Sequence, residues 1–178
     1  MTANDRKRVL RWRNLPEVRR WMYTDHEITE KEHDQWFESV LRDESRQYWV
    51  IMLDEQPVGV ANLAEINRAQ SRCTWAFYLA DQSTRGRGIG LATEFLVLEY
   101  VFRDLRLSRL WCEVLSDNHG VIRLHESVGF HREGTLREHV AKSGVREDVV
   151  VLGMLASEWD HQRTEVKRRL AERGEVQL

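Results

Sequence analysis

Three glycines at every second position, in Ser83-Thr84-Arg85-Gly86-Arg87-Gly88-Ile89-Gly90, separate a strand-like segment from a helix-like one. Glycine lets the backbone turn its amides inward, and a helix N-terminus adds partial positive charge. Together they make an anion nest suited to a pyrophosphate, and Arg85 and Arg87 add formal charge. The plain alternative is a flexible loop that starts a helix. Neither common nucleotide loop is present: Leu91 and Ala92 follow Gly90 where a Walker loop needs lysine and a hydroxyl, and the spacing differs from G-x-G-x-x-G. Two further residues offer acid–base chemistry. Strand alternation across Leu110–Leu115 sets Trp111, Glu113 and Leu115 on one face, so Glu113 is a carboxylate among apolar neighbours. It reads as a general base or as half of an ion pair with an arginine. His125 lies on the apolar stripe Val121, Leu124, His125, Val128, where a histidine is a satisfied core residue or a proton donor. Cys112, in the same strand as Glu113, reads as a structural thiol.

The elements that must position these residues follow from local signals. Asn4 or Asp5 caps a helix carrying Val9, Leu10 and Trp12, Pro16 breaks it, and a short turn runs through Val18, Trp21 and Met22. Thr29 and Glu32 form a capping box that starts a helix burying Trp36, Phe37, Val40 and Leu41. The period then shortens. Tyr48–Leu53, Val58–Ile66 and Cys73–Ala80 read as an antiparallel meander. The glycine stretch opens a long helix, Leu110–Leu115 is another strand, and Asn118 caps a short helix that ends at Gly129. Segments 130–141 and 146–155 form a hairpin about Ser143-Gly144, and Ser157 starts a polar C-terminal helix whose Arg163, Lys167, Arg168 and Arg169 belong on a solvated face. Without repeats or linkers the chain reads as one α/β domain over 1–178, of the α+β mixed-sheet kind, with residues 160–178 as that polar helix.

Composition narrows the function. Of 178 residues 42% are hydrophobic and 31% charged, and 27 basic against 29 acidic residues leave a net charge of −2, against a general nucleic-acid binder. Two cysteines build no disulfide scaffold and no four-ligand zinc set exists, so no metal is expected. No apolar run approaches the ~20 residues that span a membrane, and the opening segment lacks an apolar signal core. A cytoplasmic protein with no membrane partner is expected. Seven tryptophans must be core or pocket walls, and helical spacing assigns Trp12 and Trp36 to the core.

Arg85-x-x-Gly88-x-Gly90 after a meander strand, then a helix, a strand, Asn118 and Val128-Gly129-Phe130, resembles the GNAT acetyltransferase superfamily over about residues 10–159. The resemblance implies a meander, a cofactor-binding helix, splayed central strands, and a C-terminal hairpin and helix. It implies acetyl-CoA as co-substrate, held by Arg85, Gly86, Arg87, Gly88, Ile89 and Gly90, with its pyrophosphate on the amides of Arg87 to Gly90. A pantetheine arm then runs along Phe77, Tyr78, Leu79 and Ala80, with Asn118 touching the cofactor. An amide of Leu79 or Ala80 holds the oxyanion. Glu113 takes the amine's proton through water, and His125, at a place where many members carry tyrosine, protonates the departing thiolate. Two departures stand out: the family's first strand is mostly missing ahead of Asp5, and Ala80 to Arg85 is one residue longer than usual.

Trp12-Arg13-Asn14-Leu15-Pro16, Val18-Arg19, Trp21-Met22-Tyr23, Ile28, Glu32-His33 and Trp36 are similar to a GNAT subgroup. Its members acetylate the 4-amino group of a UDP-linked 4-amino-4,6-dideoxy sugar on the way to pseudaminic acid. The resemblance implies a small-molecule amine, a nucleotide-linked amino sugar, as the partner, and admits a homodimer. Arg13, Arg19 or Arg20 would meet phosphate, and Trp21, Met22 and Tyr23 would line the sugar or stack on uracil. Glu32 reads as structural and His33 as a surface residue or a substrate contact. Enzymes that acetylate ribosomal-protein N-termini share the opening more loosely, and a catalytically silent acyl-CoA-binding module is the non-enzyme alternative.

Overall fold

The computed structural model describes residues 1–173. Six strands form one mixed sheet in the order β1-β2-β3-β4-β6-β5. The meander is β1 (Gln47–Leu53), β2 (Gln56–Asn67) and β3 (Arg72–Leu79), antiparallel throughout. A crossover through helix α4 (Ile89–Glu99) brings β4 (Arg109–Leu115) parallel to β3, as a parallel pair requires. The hairpin β5 (His131–Lys142) and β6 (Val145–Leu155) turns at Ser143-Gly144 and sets β6 against β4. Three helices precede the sheet: α1 (Arg6–Asn14), α2 (Pro16–Arg19) and α3 (Glu30–Arg42). Helix α5 (His119–Val128) follows β4, and α6 (Ala156–Arg173) follows the hairpin.

The local signals act where the residues stand. Pro16 sits at the start of α2, and Thr29 and Glu32 close a reciprocal capping box on α3. The Asn118 side chain caps α5, and Gly129, at φ +112°, ends it with its amide on the carbonyls of Glu126 and His125. The expected strands lie within one or two residues of their observed bounds.

Packing differs from expectation in three places, the first being Leu41, expected to be buried by its helix but half exposed. Trp12 is buried, with Val9, Val18, Val60 and Ala80, where α1 and α2 cover the end of the meander. Trp36 is only half-buried and walls a cavity between α1, α3 and the sheet instead. The C-terminal helix is not polar all round: Trp159, Val166 and Leu170 are core, and Trp159 donates to Glu99 at 2.8 Å. Arg163 also grips Glu99, at 2.6 Å, so it faces a partner rather than open solvent. The expected helix over 160–178 lies in part, beyond residue 173, outside the described residues.

The sheet is open at its centre. β3 and β4 pair only at Arg72/Arg109, Cys73/Leu110 and Thr74/Trp111. Beyond that point β3 stays on β2 to Leu79 and β4 stays on β6 to Leu115, so a cleft opens between Trp75–Leu79 and Cys112–Leu115. Gly59 holds β2 close to β3 along one wall: a Cβ there would come within 2.2 Å of the Tyr78 carbonyl oxygen. A backbone atom inside a sheet cannot move aside. Gly59→Ala is expected to cost about 3 kcal/mol, the upper end of ordinary overpacking, seen as a lower urea midpoint. A midpoint equal to the parent's would show that the strands part freely.

Candidate active site

At one end of the cleft, Asp81 accepts the Ser83 amide at 2.8 Å and starts a tight turn through Thr84. Gly86 and Gly88 follow in the left-handed region, at φ +77° and +75°. The first bond of α4 runs from the Ala92 amide to the Gly88 carbonyl at 3.0 Å. The amides ahead of it, from Gly88 to Leu91, have no carbonyl one turn back and open toward the loop. The Arg87 amide does not join them, because it donates to the Thr84 carbonyl at 3.3 Å. Of the amides expected to meet a pyrophosphate, Arg87 to Gly90, that of Arg87 is thus engaged within the loop itself. The Arg87 guanidinium lies 3.7 Å from Asp54, and Arg85 is exposed beside it.

Along the cleft wall, the Ala80 amide donates to the Val58 carbonyl at 2.8 Å. The β2–β3 register runs without a break from Thr74 to Leu79, so backbone groups alternate sides. Tyr78 and Ala80 thus face β2, while the amides of Phe77 and Leu79 face the cleft. Of the amides of Leu79 and Ala80, only that of Leu79 is turned away from β2.

The same alternation divides the side chains. Trp75 and Phe77 point to the layer of α4 and α5, where their rings stack at 5.4 Å. Tyr78 points to the opposite face, under α1. On β4, Cys112 belongs to the helix layer, and Glu113 takes the other face. There Glu113 accepts a 2.6 Å hydrogen bond from the Tyr23 hydroxyl, so its partner is a phenol rather than an arginine. Burial, then this bond to the carboxylate, push the Tyr23 hydroxyl well above its ordinary pKa, so it stays a donor.

His125 lies on the helix layer and is 3% exposed, against Trp75, Phe77 and Phe130. Its Nδ1 is 2.8 Å from Glu94 of α4, a residue with no exposure at all. Burial disfavours charge on the ring, but the Glu94 carboxylate and the Cys112 side chain outweigh it and hold the His125 pKa up to about 10. Sequence reasoning missed Glu94. The signal was present as the lone carboxylate in the apolar run Ile89–Leu98.

Beneath α1 and α3, on the Glu113 face, lies a cavity of about 430 Å³ walled by Arg13, Met22, His33, Trp36, Tyr48 and Tyr78. Burial lowers the Arg13 pKa, with the Tyr78 and Tyr48 hydroxyls opposing the shift. Its guanidinium contacts the Met22 sulfur at 2.6 Å, and among the described residues no carboxylate pairs with it. The Tyr78 hydroxyl is buried without a partner. His33 is not at the surface: it is 2% exposed, its Nε2 lies 2.8 Å from the Arg6 carbonyl oxygen, and burial lowers its pKa.

Trp21, Met22 and Tyr23 do not share a pocket. They lie in a turn, whose successive side chains diverge. Met22 enters the Arg13 cavity and Tyr23 reaches Glu113. Trp21 borders a separate depression of about 580 Å³ with Arg19, Arg20 and Lys142, and Arg20 stacks on its ring at 4.7 Å. Asn118 accepts the Val121 amide at 3.4 Å as the helix cap. Among the described residues no cluster of His, Cys, Asp and Glu is placed to hold a metal, and no helix is long and apolar enough to cross a membrane.

A profile described as "Acetyltransferase (GNAT) domain" matches residues 1–131. The chain belongs to the GNAT acetyltransferase family. It is 33% identical over 119 residues to the Bacillus subtilis protein named probable N-acetyltransferase YjcK, 66% of either chain. It is 28% identical to acetyltransferase PseH of Campylobacter jejuni, over 73% of this chain and 79% of that one. A spermidine N-acetyltransferase from Vibrio cholerae, solved with CoA and spermine, has the same fold, with a TM-score of 0.82 and 20% identity over 89% of this chain and 94% of that one.

Proposed function

We propose that this acetyltransferase moves acetyl from acetyl-CoA to the 4-amino group of a UDP-linked 4-amino-4,6-dideoxy sugar. The opening of α4 and the Leu79 amide fit a ligand with a phosphoanhydride at one end and an extended arm ending in a carbonyl. Acetyl-CoA supplies the activated acyl group. The chain's residues do the rest: the amides from Gly88 to Leu91 take the pyrophosphate, Leu79 polarises the carbonyl, Glu113 receives the amine's proton, and His125 faces the leaving sulfur. Glu113 and His125 lie on opposite faces of the sheet at the same cleft, so base and acid do not neutralise each other.

The observation that carries the substrate reading is Arg13. A desolvated guanidinium with no carboxylate paired to it, beside an unpartnered phenol, is a receptor for an anion such as a diphosphate, although Glu32 also lines the cavity. Similarity to PseH is in keeping with the subgroup resemblance. Peptide N-termini remain the rival substrate class, and polyamines a further one.

Thioester release is to be followed with UDP-amino sugars, N-terminal peptides and spermidine. The sugar is expected to turn over fastest, with free UDP competing against it and not against acetyl-CoA. Arg13→Gln is expected to raise the KM for the sugar about 30-fold or more, from ~2 kcal/mol for a charge-assisted hydrogen bond, while leaving that for acetyl-CoA within twofold. Turnover untouched by saturating UDP would reject the sugar reading and favour the peptide or the polyamine, whichever reacts.

A further inference from the structure

Glu94 and His125 come from different helices, α4 and α5, and meet behind the cleft. A carboxylate oxygen accepts only, so Nδ1 of His125 carries a hydrogen whatever the charge of the ring. Cys112, the first residue of β4 beyond its last pairing with β3, is the other polar side chain acting on the ring, so the ring lies near the point where the strands part. The groups that face the ring are few. Glu94 comes from α4 and Cys112 from β4, while β3 and the segment after α5 offer only the rings of Trp75, Phe77 and Phe130.

Among the described residues Glu94 has no cation beside it other than this imidazole, and its Oε2 has no partner at all. Removing one member of such a buried pair leaves the other without its partner, so each side chain holds the other in place. We propose that Glu94 is a positioning residue for acetyl transfer: it fixes the His125 ring through Nδ1 and keeps a proton on Nε2, at the head of the cleft. This rests on the acetyl-transfer reading above. In the step it serves, the amine lone pair forms the C–N bond at the acetyl carbon and the C–S bond breaks toward sulfur. The sulfur then takes the Nε2 proton. Glu113 takes the proton shed by nitrogen through water, and both residues exchange with solvent afterwards.

The decisive measurement needs no turnover. In the free protein, the ring resonances of His125, assigned with His125→Phe, are expected to show an imidazolium at pH 8. In Glu94→Gln, which keeps an acceptor on Nδ1 but removes the charge, burial is no longer offset by a carboxylate and the ring is expected to be neutral there. The kcat profile should follow: a loss of about 100-fold at pH 8.5, the protonated fraction left at an ordinary imidazole pKa of ~6.5, shrinking to within about threefold near pH 5.5. The KM for acetyl-CoA should stay within twofold, and Glu94→Asp should recover part of the loss. A neutral ring at pH 8 in the parent overturns the proposal even if no variant folds. So does a Glu94→Gln profile that matches the parent's. Should no amine be acetylated at all, the transfer reading fails, while the resonances still report whether Glu94 holds the proton.

Discussion

Replacing Glu113 by glutamine is expected to lower kcat by about 10²- to 10⁴-fold, the usual contribution of a general base. Glutamine keeps the shape and an acceptor for the Tyr23 hydroxyl, so the local bond at 2.6 Å can persist while proton uptake is lost. The sign with pH is definite. A primary amine near neutrality is mostly protonated, and the base matters most there. As pH rises and the free amine accumulates, the deficit should narrow. An initial-rate series across pH, with the amine and acetyl-CoA both saturating, reads this directly. A variant that folds and turns over within about threefold of the parent, far short of a general base's share, would leave desolvation and positioning to carry the reaction.

The second large effect lies at the other end of the cleft. Gly88 stands at φ +75°, where a β-branched residue is strained by roughly 1–2 kcal/mol, and it caps the helix whose open amides form the nest. Gly88→Val should turn the backbone away and place methyl groups where the pyrophosphate approaches. Losing two charge-assisted hydrogen bonds at ~1.5 kcal/mol each predicts about 100-fold weaker acetyl-CoA binding. The parent should gain thermal stability from acetyl-CoA and the variant should not. Gly88→Asn separates binding from folding, since asparagine tolerates the left-handed region. It should fold like the parent and bind better than the valine variant. Parental affinity in a folded Gly88→Val protein would remove this loop from the site.

Much of this molecule is written in short-range signals. The capping box at Thr29 and Glu32, the Asn118 cap, the Gly129 stop and the Ser143-Gly144 turn act over three or four residues, so each element falls near its expected bounds. The nest is legible for the same reason, since Gly86, Gly88 and the start of α4 are consecutive. Strand alternation likewise separates Glu113 from Cys112 without knowledge of any neighbour. Partners are another matter. Tyr23 and Glu113 are 90 residues apart, and Glu94 and His125 are 31 apart, so only the crossing of their elements brings them into contact. Alternation along β3 leaves two possible phases, and pairing with Val58 selects the one that leaves Leu79 facing the cleft. The divergence of Trp21, Met22 and Tyr23, the half-exposed Trp36 and the burial of His33 also depend on how α1, α2 and α3 pack against the sheet. Local rules set which way each backbone turns, whereas the sum of packing over the whole core sets the distances between elements, and a catalytic or binding site is made of those distances.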